Sequence, residues 1–258
     1  MLVLCYGITK SGSTLAFELV RGILESAGHV QERLPDGPVN PGHPINYSQP
    51  LNKKRLNQLL SAVGERSIAV KTHGGIGDPM FAYLDELGDA RRLQAIVSYR
   101  DPRDICLSLV DAGVKARAIG MVEFSEIADL NGAVATVAEQ IEKFVKWAAL
   151  RNALVLDYDT VAFAPDRAIA SIEERLSVRA DHERVKRYTY EEAFTEKNRA
   201  QRDRFRAELT PAQNAELRRV FGEIIANFSE ADPGPWRAQT RAEILERLAA
   251  AEAASPPG

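Results

Sequence analysis

The sequence predicts an α/β fold: a single domain in which a central parallel β-sheet is flanked by helices. Three observations carry that prediction. Short apolar runs such as LVLCY, LQAIVSY and ALVLD stop at glycine or at charged residues, the pattern of strands buried on both faces. Longer segments with apolar residues at helical spacing lie between them. The two patterns alternate, which makes successive strands parallel and gathers the following loops at the carboxyl edge of one sheet.

The first run, Leu2 to Tyr6, ends at Gly7 and leads into GITKSGST. Apolar residues then recur at Ala16, Leu19, Val20, Ile23, Leu24 and Ala27, one helical face stopped at Gly28. Residues 29–47, rich in Pro, Gly, Asn and His, read as a loop. A helix is predicted from Gln49 to Val63, capped by Ser48 and ended by Gly64. SIAVK (67–71) is a second strand running into THGGIGDP, and LQAIVSY (93–99) a third running into RDPRD. There Asp101 is placed to cap a helix with Pro102 at its first position. A helical stretch over 132–150 precedes the fourth strand, ALVLD (153–157). Thr210 to Gln213 forms a capping box with proline, opening a helix toward Phe228. The closing RAEILERLAAAEAASPPG reads as an amphipathic helix with a disordered tip, so the division is a globular domain over 1–236 and a helix with a tail over 237–258.

Composition narrows the function classes. The chain has 258 residues, 45% hydrophobic and 27% charged, with a formal net charge of −3, so no global basic field favours nucleic acid or an anionic membrane. Cys5 and Cys106 sit in apolar runs, which suits buried thiols in a reducing compartment, and with four scattered histidines they make no zinc spacing. The apolar start is too short for a signal peptide, and no run approaches the roughly 20 residues of a membrane span. The expectation is a soluble cytoplasmic protein with no nucleic-acid or membrane partner; its oligomeric state has no signature here.

Three stretches carry chemistry. In GITKSGST, Gly7 and Gly12 have Walker spacing, yet Ser13 stands where the Walker lysine belongs and Lys10 lies inside the loop. Backbone amides, the positive end of the following helix and the hydroxyls of Ser11, Ser13 and Thr14 make an anion the natural occupant. In VKTHGG, Lys71 and His73 are two apart on an extended segment and face one side, where an imidazole can serve as general base. In SYRDPRDICLSL, Arg100 leaves the strand and Ser108 follows two helical turns later on the side of Asp104. Taken singly, the loop could be a plain strand-to-helix turn, the histidine an ordinary polar side chain and the arginine a surface residue. His29, His43 and His182 have no such setting.

Together the stretches resemble the 3′-phosphoadenosine 5′-phosphosulfate (PAPS)-dependent sulfotransferases of the cytosolic type. GITKSGST resembles the family's 5′-phosphosulfate loop, T-x-P-K-S-G-T; VKTHGG its K-T-H segment; YRDPRDICLS its 3′-phosphate motif. VLDYDTVAFAP resembles L-x-Y-E-D-x-x-x-x-P, and LTPAQNAEL the segment after the cofactor-binding tail. The resemblance spans most of residues 1–220 in the family's order, and implies a P-loop NTPase-like sulfotransferase fold.

It also implies roles. PAPS would be the donor and adenosine 3′,5′-bisphosphate (PAP) the product, with no metal. His73 would take the acceptor proton, Lys10 would meet charge on the leaving phosphate, and Lys71 would neutralise the sulfuryl oxygens. Ser11, Gly12, Ser13 and Thr14 would hold the 5′-phosphate, Arg100 and Ser108 the 3′-phosphate, and Tyr158 would lie near the adenine. The sequence departs from the pattern at Thr9, where the family has proline, and at Gly74-Gly75, where it has Leu-Pro. The R-K-G-x-x-G clamp has no clear counterpart; the basic stretch EKNRAQRDRFR either offers Lys197 and Arg199 in its place or is a solvated helical face. The acceptor would be a small-molecule hydroxyl or amine, bordered by 29–47 and Ile76 to Met80, with Tyr47, Phe81 and Met121 as apolar walls. A small-metabolite kinase using ATP and a non-catalytic nucleotide-binding protein are the competing readings.

Overall fold

The computed structural model describes residues 1–193 and 200–254. Four strands, β1 Leu2–Gly7, β2 Ile68–Thr72, β3 Leu93–Tyr99 and β4 Ala153–Asp157, form one parallel sheet in the order β2-β1-β3-β4. Every residue of β1, β2 and β3 is buried, as continuous apolar runs in a doubly covered sheet require. Their side chains alternate: Leu2, Leu4 and Tyr6 enter one core layer, Val3 and Cys5 the other.

Eleven α-helices are present among the described residues: α1 Ser13–Ser26, α2 Lys53–Val63, α3 Asp78–Asp89, α4 Pro102–Ile119, α5 Leu130–Ala149, α6 Tyr158–Phe163, α7 Pro165–Leu176, α8 His182–Arg187, α9 Arg204–Glu208, α10 Pro211–Ile224 and α11 Gly234–Ala254. One face of the sheet is covered by α1, α7 and α8, where Phe17, Leu19 and Ile23 meet Ile169 and Ile172. The other is covered by α3, α5 and α11 among others, with Phe81, Leu84, Phe144 and Trp147 in that layer. The sheet and its flanking helices are thus the α/β architecture that the alternation of patterns predicts.

The chain leaves β1 through α1 and α2 toward β2, and leaves the adjacent β3 through α4 and α5 toward β4. Connections diverging from neighbouring parallel strands open a crevice at their carboxyl ends, where ligands of open α/β sheets bind. The 29–47 loop lies along the free edge of β2. Gln31 accepts from the Ala69 amide (2.9 Å) and donates to the Ser67 carbonyl (2.8 Å), while the Lys71 amide donates to Asn46 (2.7 Å). This closes an edge that would otherwise pair with another chain, and it carries Tyr47 to a position beside Lys71.

The helix expected from Gln49 begins instead at Lys53. Asn52 is the cap, its side chain accepting from the Arg55 amide, whereas the Ser48 hydroxyl donates to the Pro38 carbonyl. α3 was not anticipated, because the glycine-rich approach to it reads as loop and its cap position, Gly77, makes no side-chain bond. The capping box at Thr210 is present with both arms, and a π-helical turn over Ile225–Ser229 continues α10 toward Phe228. α11 docks firmly: the Arg237 guanidinium donates to the carbonyls of Ala148, Leu150 and Ala153, and Ile244 is buried. The expected irregular tip beyond residue 254 lies outside the described residues. No described helix is long and apolar enough to cross a membrane.

Trp147 joins this architecture to the functional edge. It is fully buried, stacks on Tyr6 at 5.1 Å, and its Nε1 donates to the Gly74 carbonyl at 2.9 Å. Trp147→Phe keeps most of the apolar volume but strands that carbonyl. Urea unfolding is expected to show a loss of about 1–3 kcal/mol with an unchanged m-value.

Candidate active site

The loop after β1 is shaped by close approach. A Cβ on Gly7 would lie 2.7 Å from Ser13 Cβ, so only glycine lets the chain fold back over the strand end. The Ile8 carbonyl then accepts the Ser11 amide at 3.0 Å, closing a four-residue turn whose third residue, Lys10, has a left-handed φ of 70°. Gly12 (φ 83°) ends the loop and opens α1 with no side-chain cap and no acidic residue in the first turn. The first amides of α1 therefore have no helical partner and the helix dipole is uncompensated. The Ser11 hydroxyl is buried and has no hydrogen-bond partner among the described residues. A buried orphan donor beside an uncapped helix start fits an anionic group.

Lys10 Nζ lies over the Phe124 ring, 4.4 Å from its centroid. Lys71, the fourth residue of β2, donates from Nζ to Thr14 Oγ1 at 2.7 Å, tying the second strand to the first turn of α1. Burial pushes its pKa down to about 8, and the Lys10 charge adds to that, against the pull of Glu18 and Glu123.

His73 leaves β2 and places Nδ1 2.6 Å from the Gly7 carbonyl oxygen. A carbonyl only accepts, so Nδ1 carries the proton and Nε2 holds the lone pair. Burial, then the charge on Lys71, push this imidazole down to about 4 despite the bond to Gly7, so it is neutral near pH 7. Tyr47 lies 6.0 Å away from the His73 ring and stacks on His43 at 4.6 Å.

Arg100 follows β3, is nearly buried (7% exposed), and lies 4.2 Å over the Tyr158 ring. Its Nη2 reaches Asp104 Oδ2 (3.5 Å) and the Gln201 carbonyl (3.3 Å), but Nε is buried with no partner among the described residues. Ser108 is buried on the same helix, four residues beyond Asp104. Asp104 also accepts the Phe205 amide at 3.0 Å, so the chain at 201–205 folds against Arg100. Tyr158 bridges the two sites: its ring packs where a Cβ on Gly12 would be, 2.7 Å away.

The structure thus brings together Lys10, Ser11, Gly12, Ser13, Thr14, Lys71 and His73, with Arg100 reached through Tyr158. Lys197 and Arg199 lie outside the described residues. Phe81 is not a wall of the site: it is fully buried in the core beneath α3. Met121 is exposed and Tyr47 borders His73. The Ser11 amide, expected to bind phosphate, is engaged in the turn, leaving its hydroxyl as the available donor. Sequence reading missed Gln140, which accepts the Thr9 amide at 2.7 Å, and Phe124 over Lys10. Both come from segments more than 100 residues away with no local pattern to mark them.

No family model matches the sequence, and no curated protein matches it. Among solved structures, the fold is similar to retinol dehydratase crystallised in complex with androsterone and the inactive cofactor PAP. The superposition has a TM-score of 0.52 at 17% sequence identity and covers 90% of this chain and 81% of that one. At that identity the likeness establishes the fold.

The neutral state of His73 has a thermodynamic signature. The unfolded chain takes up a proton that the native imidazole refuses between its ordinary value of 6.5 and about 4. The group's stabilisation is therefore complete above that window and is lost as pH falls through it. Between about pH 7 and about pH 5 the wild type should lose on the order of 2 kcal/mol more than His73→Asn, whose amide still donates to Gly7. Equal losses in parallel urea titrations would mean the imidazole is not held neutral.

Proposed function

We propose that the protein is a sulfotransferase that moves a sulfuryl group from PAPS to a hydroxyl or amine of a small-molecule acceptor. One observation carries the reading: Lys10, the Lys71–His73 pair and Arg100 stand at the carboxyl edges of three adjacent parallel strands, beside two buried donors, Ser11 Oγ and Arg100 Nε, that have no partner among the described residues. A molecule with a phosphate-like group at each of two separated positions matches that donor set. The likeness to a fold crystallised with PAP supports the same assignment.

The donor supplies the activated sulfuryl group; the chain's residues do the rest. The first amides of α1 with the Ser11, Ser13 and Thr14 hydroxyls hold the 5′-phosphate. Arg100 and Ser108 hold the 3′-phosphate, with Tyr158 between the two sites as a platform for the adenine. His73 Nε2 takes the acceptor proton as the acceptor oxygen or nitrogen forms its bond to sulfur and the bond from sulfur to the 5′-phosphate oxygen breaks. Lys10 meets the charge that passes to that oxygen, and Lys71 the charge on the sulfuryl oxygens. His73 is a weak base, held so by burial and by the Lys71 charge. The negative charge of a bound donor raises its proton affinity at the moment it is needed.

Calorimetric titration with PAP, beside magnesium ATP, tests the donor site. Micromolar PAP binding that weakens by roughly 10- to 100-fold in Arg100→Ala is expected, as for loss of a charge-assisted contact. Binding of magnesium ATP with none of PAP would overturn the reading in favour of a kinase. With an acceptor, Lys10→Ala and His73→Ala should each lower turnover by about 10²-fold or more, His73→Ala at nearly unchanged PAP affinity and Lys10→Ala with weaker PAP binding.

PAP affinity should also fall between about pH 7 and about pH 9 as Lys71 loses its proton near 8. Lys71→Arg, which stays charged, should flatten that dependence.

A further inference from the structure

The residue before Lys10 exposes a device on which the proposed chemistry depends. In the turn Ile8-Thr9-Lys10-Ser11, the Ile8 carbonyl accepts the Ser11 amide and Lys10 takes φ 70°, while Thr9 is not among the residues of positive φ. That is the pattern of a type II turn, whose second position suits proline and whose third suits glycine. Here the second is threonine and the third a lysine in the left-handed region, so neither residue favours the turn on its own. A left-handed lysine costs about 1–2 kcal/mol and persists only where its surroundings enforce it.

The enforcing contact comes from α5. The Thr9 amide, the one group a proline at that position would lack, donates to Gln140 Oε1 at 2.7 Å. The Gln140 backbone carbonyl accepts from the Tyr6 hydroxyl at 3.4 Å, so the same residue meets the chain on both sides of Gly7. Phe124 faces the other end of the lysine, its ring 4.4 Å from Nζ. We propose that Gln140 is a positioning residue for Lys10: by holding the Thr9 amide it supplies the restraint that proline would impose, and so fixes the direction in which Lys10 leaves the loop. This rests on the sulfotransferase reading only for the meaning of Lys10; the restraint itself is a property of the turn.

The test pairs removal with chemical rescue. Gln140→Ala should leave the fold intact, since the side chain is half-buried on α5. It should increase hydrogen exchange of the Ser11 amide, whose bond to the Ile8 carbonyl closes the turn, by roughly tenfold, as expected for loss of one tethering bond. Turnover should fall by about tenfold with acceptor KM little changed, because misplacing one group slows the chemical step without touching acceptor binding. Thr9→Pro in the Gln140→Ala background should restore both slow exchange and turnover, whereas Thr9→Pro alone should change neither. Unchanged loop exchange in Gln140→Ala overturns the proposal, whatever the enzyme's activity. So does faster exchange that Thr9→Pro fails to reverse, which would make Gln140 a general packing residue. A wild type that binds no PAP would instead defeat the sulfotransferase reading and leave the exchange result to decide the role of Gln140.

Discussion

The geometry of the site turns on Gly7. Its carbonyl oxygen receives His73 Nδ1, its neighbours in register are Ser98 on β3 and, one residue earlier, Thr72 opposite Tyr6 on β2. A Cβ there would crowd Ser13, Ser11 and Ser98 at 2.7, 2.9 and 3.0 Å. One residue without a side chain therefore lets the loop after β1 fold back, brings the imidazole to the strand end, and keeps β3 in parallel register beside both. A larger residue would push three segments apart at once, and no single adjustment would restore them.

Around this point the protein gathers positive charge. The chain as a whole carries −3, yet Lys10, Lys71 and Arg100 stand at adjoining strand ends. The described contacts of Lys71 and Lys10 include a hydroxyl and an aromatic face, and Arg100 shares Asp104 only at 3.5 Å. Burial is the first cause of the downward shifts of Lys71 and His73, and the Lys71 charge adds to that on His73. Crowded cations weaken the empty fold and reward an anionic ligand, which stabilises the native state by mass action.

How much of this was legible in the sequence follows from where each restraint originates. Strands β1 and β3 are continuous apolar runs and carry their own signal. The two loop glycines announce themselves by spacing, as do Lys71 with His73 and Arg100 with Ser108, because each pair is only a few residues apart where one regular element meets its loop. The cap of α2 was misjudged because Ser48 and Asn52 are both competent caps, and the edge bonding of Ser48 beside β2 decides between them. Phe81 looked like a pocket wall because its segment read as loop; once Asp78 to Asp89 is a helix, that ring points into the core. Gln140 had no signal at all, since one glutamine on the exposed-to-buried border of a long helix is indistinguishable from its neighbours until the turn it meets is known.

That last residue belongs to a stripe with a common purpose. Gln140, Lys143 and Trp147 recur at helical spacing along α5 and meet the loops after β1 and β2 in turn: Gln140 at Thr9, Lys143 against Gly75, and Trp147 at the Gly74 carbonyl. Seven residues of α-helix rise by about 10 Å, and that distance does not vary with solvent or ligand as a loop-to-loop contact would. The segment carrying Lys10 and the segment carrying His73 are thus both referenced to one rigid rod beneath the sheet. Replacement of the family-like Leu-Pro after the histidine by Gly74-Gly75 then has a physical reading. Trp147 closes on the carbonyl of the first glycine, and a side chain on the second would strike Lys143 Cγ at 2.9 Å. In both loops the proline that would stiffen the chain from within is absent, and a bond or a close contact from α5 stiffens it from outside.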